Sequence, residues 1–257
     1  MRLLARKKKP VVSDPAPIAV PQLNHADLAA VYYGVRQGGD FYDFVRVSPH
    51  LVLFGLLDVA GRHEENAGIV AAAQETFRSV GTNLFEGDDI NEAEAMIELS
   101  LRLNRTIMEA SRGVRSCPAF VGCYNELVGT VCYSNAGHTP ALLWDGSVMT
   151  QLPASGLPLG LFSHVTHDAP TAALAPGAAM VLVSRGVTEA KRGGTEYGIE
   201  SVQATCQRDV ISSARQLCLD ILAGVEQFMR AAPTHNDVTA LALVRNAAAK
   251  AASTDGA

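Results

Sequence analysis

Two aspartates stand at the edges of apolar segments, where a carboxylate can serve as a metal ligand. Asp40 follows two glycines in GGDFYDF (38–44), and Asp58 ends the apolar run LVLFGLLD (51–58). In an extended segment Asp40 and Asp43 point to opposite faces, so we do not expect them to share one ion. A carboxylate at the end of a buried strand needs a hydrogen bond, a counter-charge or a cation. Asp58 therefore either caps the helix that starts near residue 64 or binds a metal, and the spacing leaves both open.

A positive side chain occupies a similar place later in the chain. The segment LVSRGVTEA (182–190) runs from a buried strand into a tight turn at Arg185-Gly186 and then into polar sequence. An arginine at a strand end either pairs with a nearby carboxylate or extends into solvent on its long aliphatic stem. The chemistry of this strand end depends on which of the two it does.

Histidines are weaker candidates. The segment SNAGHTP (134–140) has the composition of a turn between strands. The sequence favours His138 as a residue that fixes this turn by hydrogen bonds, with a role as acid or ligand as the alternative. His164 and His167 would lie on opposite faces of an alternating strand, which disfavours a shared metal ion.

The charge distribution argues against nucleic acid as a partner. The 257 residues carry 21 basic and 26 acidic side chains, a formal net charge of −5. Five of the basic residues lie within positions 2–9, so the rest of the chain has 16 basic against 26 acidic side chains. That is a poor basis for the positive face that phosphates require. We expect the basic start to be a solvated tail, with contact to an anionic membrane or partner as the alternative.

Composition and segment lengths predict a cytoplasmic globular protein. Hydrophobic residues make up 48% and charged residues 18% of the chain, as in folded proteins. No apolar run approaches the roughly 20 residues of a membrane span, and Leu3-Leu4 is too short for a secretory signal. The five cysteines are odd in number and form no C-x-x-C pair, so we expect reduced core residues.

Apolar periodicity predicts strands in two groups with helices between and after them. We expect three neighbouring antiparallel strands at 29–36, 41–47 and 51–58. Further strands are predicted at 119–124, 129–134 and 141–144, as a neighbouring pair near 165–171 and 178–184, and at 238–244. Helices are predicted at 64–82, 88–111 and 212–230, the second with Ile90, Ala93, Ile97, Leu101, Asn104 and Met108 on one face. Hairpin-linked strands with separate helices favour an α+β sandwich over a doubly wound parallel sheet.

The two ends of the chain differ in composition from the centre. Residues 1–24 pass from basic to proline-rich sequence, and residues 246–257 are small and polar. We therefore expect one domain over 25–245, preceded by a flexible extension and followed by a disordered tail.

Six motifs occur in an order that points to one family. They are GGDFYDF, DVAG, SNAGHTP, the GLPLG of 156–160, RGVTEA and the NDVT of 236–239. Over residues 29–245 the chain resembles the bacterial metal-dependent (PPM-type) serine/threonine phosphatases, and among them the stage II sporulation protein E and sigma-factor regulator group. The resemblance implies two antiparallel sheets packed face to face between helices, in αββα layers. It also implies a two-metal site for Mn²⁺ or Mg²⁺ at one end, where a bridging water attacks the phosphoserine phosphorus.

The resemblance carries over to only part of the metal site. Asp40 and Asp58 match acidic ligands of the family, and the Val59 carbonyl is expected to add a backbone ligand. The aspartate of the family's TDGVTE motif is Arg185 here, and the first acid of the closing motif is Asn236. The adjacent Asp237 is not expected to substitute, because a one-residue shift along a strand turns a side chain to the other face.

A fixed arginine beside this site has a large electrostatic consequence. A guanidinium about 4 Å from a divalent ion is repelled by roughly 8 kcal/mol at an effective dielectric near 20, so at most one ion is expected. We expect Arg185 to take the place of the missing cation by pairing with Asp58 or Asp40, where it could also hold a phosphate or carboxylate. The alternative is that Arg185 turns outward and Glu189 fills in.

Two functions follow from the resemblance, and no catalytic residue is assigned. The first is a weak or inactive phosphatase domain that acts as a regulatory or phosphoprotein-binding module in bacterial signalling. The alternative is an active Mn²⁺- or Mg²⁺-dependent protein serine/threonine phosphatase. In both cases the family likeness implies a phosphoserine or phosphothreonine protein as partner, such as an anti-sigma-factor antagonist.

Overall fold

Ten of the described strands form two antiparallel five-stranded sheets packed face to face, and the other two strands pair with each other. The computed structural model describes residues 18–33, 39–61, 63–87, 89–113, 115–208, 211–230 and 237–247. The longer strands are β1 (Ala26–Tyr33), β2 (Asp40–Arg46), β3 (Leu51–Asp58), β4 (Ala119–Asn125), β5 (Thr130–Ala136), β9 (Ala179–Val183) and β12 (Val238–Arg245). The shorter strands are β6 (Ala141–Trp144), β7 (Met149–Leu152), β8 (Thr171–Ala173), β10 (Lys191–Arg192) and β11 (Thr195–Glu196). The helices are α1 (His63–Phe85), α2 (Glu92–Ser111), α3 (Arg185–Thr188), α4 (Gly198–Cys206) and α5 (Ala214–Met229).

The sheets have the strand orders β1-β12-β9-β6-β7 and β2-β3-β4-β5-β8 in the described ranges. Apolar side chains from the inner faces of both sheets, such as Leu56 and Leu241, form the core between them. The outer face of the second sheet packs against α1 and α2, and that of the first sheet packs against α5. The predicted α+β sandwich is confirmed.

Burial on both faces explains the sequence of β3. All eight residues of this strand are buried. Leu56 lies in the core between the sheets, and the next residue, Leu57, lies in the cluster under α1 and α2. A strand covered on both sides needs a continuous apolar run in place of an alternating one, and LVLFGLL is such a run.

The prediction of three neighbouring N-terminal strands is wrong. Strands β2 and β3 do pair, but β1 pairs with β12 in the other sheet, with Leu28 opposite Leu243. Strands β1 and β2 therefore lie in different sheets and do not form a hairpin. The strands predicted near 165–171 and 178–184 also separate, because β8 pairs with β5 and β9 lies between β12 and β6.

The predicted face of the second helix is also wrong. Helix α2 starts at Glu92, after Asn91 accepts a hydrogen bond from Glu94 N, and not at residue 88. Its buried residues are Ala95, Met96, Leu99, Ser100, Leu103, Asn104, Ile107 and Ser111, so only Asn104 belongs to the predicted set. The stripe of half-buried apolar residues beside the true face produced the error.

Two further elements differ from expectation. Arg185-Gly186 opens the one-turn helix α3 in place of a tight turn, and α4 had no clear signal in the sequence. Within residues 18–24, predicted to belong to the N-terminal extension, Ile18 and Leu23 pack against the core between the sheets. All five cysteines are buried and free, as predicted. Among the described residues no helix is both long and apolar enough to cross a membrane.

Candidate functional site at one end of the sandwich

The two predicted carboxylates meet where β2 begins and β3 ends. Asp40 and Asp58 are direct register partners on these antiparallel strands. Both share the strand face of Leu56, so they point toward the gap between the sheets. Asp43 lies on the opposite face, where both its carboxylate oxygens accept hydrogen bonds from Arg78 of α1. The expectation that Asp40 and Asp43 face opposite ways is confirmed.

Asp40 has an unusual protonation equilibrium. Burial, and next the negative charge of Asp58, raise the pKa of Asp40 to about 7. The hydroxyl of Thr239, on β12, opposes this by donating to Asp40 Oδ2 at 2.7 Å. Asp40 is thus close to half-protonated at neutral pH, and its hydrogen bond ties the two sheets together at this end.

Arg185 reaches across from the other sheet to Asp58. Its Nε donates to Asp58 Oδ2 at 2.7 Å, and 41% of the arginine side chain and 13% of the aspartate side chain are exposed. The predicted pairing of Arg185 with Asp58 is confirmed, and the exposed Glu189 does not take the place of Arg185. The charge of Asp58 in turn raises the pKa of Arg185 through this hydrogen bond. Asp58 is therefore paired with a cationic side chain.

The elements that carry Arg185 are fixed by hydrogen bonds at the start of β12. Ser184 N donates to Thr239 O at 3.0 Å, and Thr239 N donates to Ser184 Oγ at 3.1 Å. Ser184 is fully buried. Because this double contact extends the β9–β12 ladder by one step, α3 must start at Arg185, directly in front of the carboxylates.

The Val59 carbonyl is held by an asparagine that the sequence did not single out. Asn66 of α1 is fully buried, and its Nδ2 donates to Val59 O at 2.9 Å. Gly39 lies so close that a Cβ there would be 2.1 Å from the same oxygen. The hydrogen bond from Asn66 uses one of the two lone pairs of the Val59 carbonyl oxygen. The other lone pair can still bind a cation, so Val59 stays a candidate ligand.

The closing motif is only partly visible. Asn236 lies outside the described residues. Asp237 is buried, and its Oδ1 accepts a hydrogen bond from Tyr32 of β1 at 2.6 Å. Its charge also contributes to the raised pKa of Asp40. The aspartate is thus engaged with Tyr32 of β1.

The histidines occupy different places. His138 is buried beside the site end, its Nδ1 lies 3.2 Å from Thr139 O, and its backbone N donates to Asn135 Oδ1 at 2.9 Å. Burial lowers the pKa of His138 to about 4, so the ring is neutral at physiological pH. These contacts agree with a turn-fixing role. His164 is exposed and His167 buried, and neither lies on a strand.

Few of the described groups at this end of the sandwich are suited to bind a metal ion. Asp40, Asp58 and the Val59 carbonyl are the described candidates, and one of the carboxylates already binds a guanidinium. Among the described residues, no group of three or more His, Cys, Asp or Glu side chains could hold a metal ion. Mg²⁺ and Mn²⁺ favour near-octahedral sets of oxygen ligands. Water molecules would therefore have to complete the coordination shell of any ion at Asp40 and Asp58.

Some residues of the site were missed because their roles depend on long-range contacts. Thr239 stands in the quoted NDVT segment, and its period-2 position relative to Leu241 would have placed it on the inner face. Tyr32 and Asn66 had no comparable signal. Their partners, Asp237 and Val59, are distant in sequence or lie across a loop.

Comparison with known proteins identifies related sequences and folds. The family model described as Stage II sporulation protein E (SpoIIE) matches residues 48–246, most of the chain. The phosphoserine phosphatase RsbU of Bacillus subtilis is 26% identical over 88% of this chain and 65% of its own length. Protein IcfG of a Synechocystis strain is 21% identical over 95% of this chain and 42% of its own length. The chain thus spans less than two thirds of these relatives.

A solved structure shows the same architecture. The SiaA-PP2C domain of Pseudomonas aeruginosa superimposes with a TM-score of 0.70 at 17% identity, over 85% of this chain and 84% of that domain. At this identity the likeness concerns the fold, and the chemistry has to be argued from the residues at the site.

Proposed function

The chain belongs to the stage II sporulation protein E family, and from this premise we propose that it is a PPM-type phosphatase domain with an impaired two-metal site, which binds a phosphorylated protein in bacterial signalling and hydrolyses it weakly or not at all. The observation that carries the proposal is the 2.7 Å contact between Arg185 Nε and Asp58 Oδ2. PPM-type phosphatases depend on Mg²⁺ or Mn²⁺ in general. In this chain the Arg185 guanidinium contacts Asp58 Oδ2 and would compete there with a second cation.

The electrostatics of the site support this proposal. Asp40 and Asp58 are register partners, and their mutual repulsion contributes to the raised pKa of Asp40. A divalent ion would relieve this repulsion, but so does the fixed positive charge of Arg185. With Asn in place of an acid at position 236, the site lacks two of the anionic ligands of the family pattern. We assign Asp40, Asp58 and the Val59 carbonyl to at most one Mn²⁺ or Mg²⁺ ion.

Arg185 is also suited to hold a phosphate. Only its Nε is engaged with Asp58 in the contact above, and 41% of the side chain is exposed at the open end of the sandwich. The remaining donors of a planar guanidinium can bind two phosphate oxygens at once. A phosphoserine or phosphothreonine protein, such as an anti-sigma-factor antagonist, is the partner class that the family suggests. RsbU, one of the relatives, is named a phosphoserine phosphatase.

A second candidate function is an active Mn²⁺- or Mg²⁺-dependent phosphatase acting on the same class of partner. The exposure of Arg185 favours it, because a long side chain with a solvent-facing end can swing away when a cation binds. Asp40, Asp58 and Val59 would then hold the ion and its water.

Hydrolysis and binding assays separate the two functions. We expect wild type and Asp58→Asn to hydrolyse p-nitrophenyl phosphate and a phosphoserine peptide with Mn²⁺ at the same background rate. Activity that is lost in Asp58→Asn contradicts the proposal and supports the active enzyme. Binding of the phosphoserine peptide should weaken about tenfold in Arg185→Ala, the loss of one charge-assisted contact. It should not change in Arg102→Ala, which alters an exposed ion pair on α2.

A further inference from the structure

An apolar surface is built next to the carboxylates. In the loop between β7 and β8, Leu157, Leu161 and Phe162 are 52%, 39% and 52% exposed. Burying such side chains stabilises a fold, so leaving three of them in water within residues 157–162 forgoes stabilisation. Concentrated exposed apolar side chains of this kind mark interaction sites. We call Leu157, Leu161 and Phe162 the apolar rim.

The backbone under the apolar rim is held rigidly by the domain. Asn104 of α2 is buried, its Oδ1 accepts from Gly160 N at 2.8 Å, and its Nδ2 donates to Phe162 O at 2.9 Å. Leu159 exchanges two backbone hydrogen bonds with Cys117, of 2.8 and 2.9 Å. The exposure of the apolar rim is therefore a property of the fixed fold, since fraying of an unanchored loop does not account for it.

The same contacts connect the loop that carries the apolar rim to the strand end at Asp58. Cys117 directly precedes Pro118, whose carbonyl accepts a hydrogen bond from Asp58 N at 2.9 Å. Pro158, within the loop, lies 2.6 Å from where a Cβ of Gly137 would be, next to His138. The loop thus crosses the end of β4 and β5 at which the site opens.

Positive charge lies between the apolar rim and the carboxylates. The backbone of Arg115 lies against Gly160, with its carbonyl oxygen 2.6 Å from the position that a Cβ atom would occupy on this glycine. The guanidinium of Arg115 lies against Gly61, which follows Asp58 by three residues. It is 2.6 Å from the position that a Cβ atom would occupy on Gly61. Arg115 therefore bridges the two regions, and an occupant that covers both passes Arg115 and Arg185. Two arginines along this path favour an acidic or phosphorylated segment over a basic one.

We propose that the apolar rim is the docking surface for the polypeptide that flanks the phosphorylated residue, with the phosphate at Arg185 and an apolar side chain of the partner on Leu157, Leu161 and Phe162. This inference rests on the proposed function and specifies how the partner is chosen. The phosphate supplies the charge that Arg185 recognises, and the apolar rim distinguishes a phosphoprotein with an apolar neighbour from one without.

The test uses synthetic phosphoserine peptides with glycine at all flanking positions, and a set in which one flanking glycine is replaced by leucine. We expect leucine at one or two adjacent positions to lower the Kd for wild type about five- to tenfold, as partial burial of one apolar side chain does. The double variant Leu157→Ser/Phe162→Ser should lose this gain and keep its affinity for the all-glycine peptide. The matched control Leu127→Ser/Val148→Ser, at exposed turns elsewhere, should keep the gain.

The outcomes separate the two proposals. A leucine gain that survives in Leu157→Ser/Phe162→Ser, or no gain at any position, overturns the docking surface and leaves the proposed function intact. Binding of the all-glycine peptide that does not respond to Arg185→Ala removes the phosphate site at Arg185 from both proposals, whereas a leucine gain that is lost in Leu157→Ser/Phe162→Ser would still support the apolar rim. Absence of binding for every peptide contradicts both. Sedimentation equilibrium adds one further arm, because a wild-type dimer that the same double variant dissociates would assign the apolar rim to a second copy of the chain.

Discussion

Removal of the Arg185 side chain is expected to strengthen Mn²⁺ binding at Asp58. Arg185 Nε lies 2.7 Å from Asp58 Oδ2, so a cation that binds this oxygen must displace the guanidinium. A hydrogen bond to a charged group contributes about 1.5–3 kcal/mol. Because 41% of the arginine side chain is exposed, solvent screening reduces this to about 1–2 kcal/mol. Arg185→Ala should therefore lower the Kd for Mn²⁺ about 5- to 30-fold.

The assay is calorimetric titration of Mn²⁺ at pH 8, above the pKa of about 7 for Asp40, so that this carboxylate is ionised. Arg185→Lys keeps the positive charge but not the planar donor, and it should fall between wild type and Arg185→Ala. Asp58→Asn should abolish the gain when combined with Arg185→Ala. Arg102→Ala removes an exposed arginine of α2 and should leave the Kd unchanged.

Equal Mn²⁺ affinities for wild type and Arg185→Ala would refute the reasoning, because they would mean that the guanidinium does not compete for Asp58. A gain that persists in Asp58→Asn would place the ion elsewhere. The double variant Arg185→Asp/Asn236→Asp extends the test. It restores both acids of the family pattern, and unchanged Mn²⁺ titration in it would count against the assignment of these two positions as ligand positions.

Three further predictions follow from the same region. The pKa of Asp40 is raised from an ordinary 3.8 to about 7, so the folded state binds this proton more tightly than the unfolded state does. The free energy of unfolding, measured in EDTA, should therefore fall by about 2–4 kcal/mol as the pH rises from about 4 to about 7. Asp40→Asn should flatten this fall in urea denaturation, and an unchanged pH profile would contradict it. Arg78→Ala leaves the buried Asp43 without its bidentate partner and should cost about 2–4 kcal/mol by thermal unfolding. Gly39→Ala puts a Cβ against Val59 O and should lower the melting temperature, whereas an unaltered melting curve would show that the strand end can shift.

Local patterns were sufficient for most elements of the fold. The continuous apolar run of β3 and the helical spacing of Leu217, Ile221 and Val225 in α5 predicted both elements, because each pattern reports the burial of one segment. The face of α2 was misassigned because half-buried apolar residues form a second stripe along that helix. Strand order was not accessible in the same way. The residue pattern of segment 29–36 is equally compatible with pairing to β2 and with pairing to β12, and only the packing of the complete sheets decides between the two pairings.

The same distinction between local pattern and long-range packing applies to the candidate site. The types of residue at 40, 58, 185 and 236, and the opposite orientation of Asp40 and Asp43, are properties of the chain that motif order and the period of a strand make visible. That Arg185 contacts Asp58 in particular, that Asn66 holds the Val59 carbonyl, and that Tyr32 engages Asp237 depend on which segments meet at the end of the sandwich. These contacts join residues of different elements, within one sheet for Tyr32 and Asp237 and between elements of different layers for Arg185 and Asp58. Their geometry is set by the burial of the whole core, which no local pattern contains.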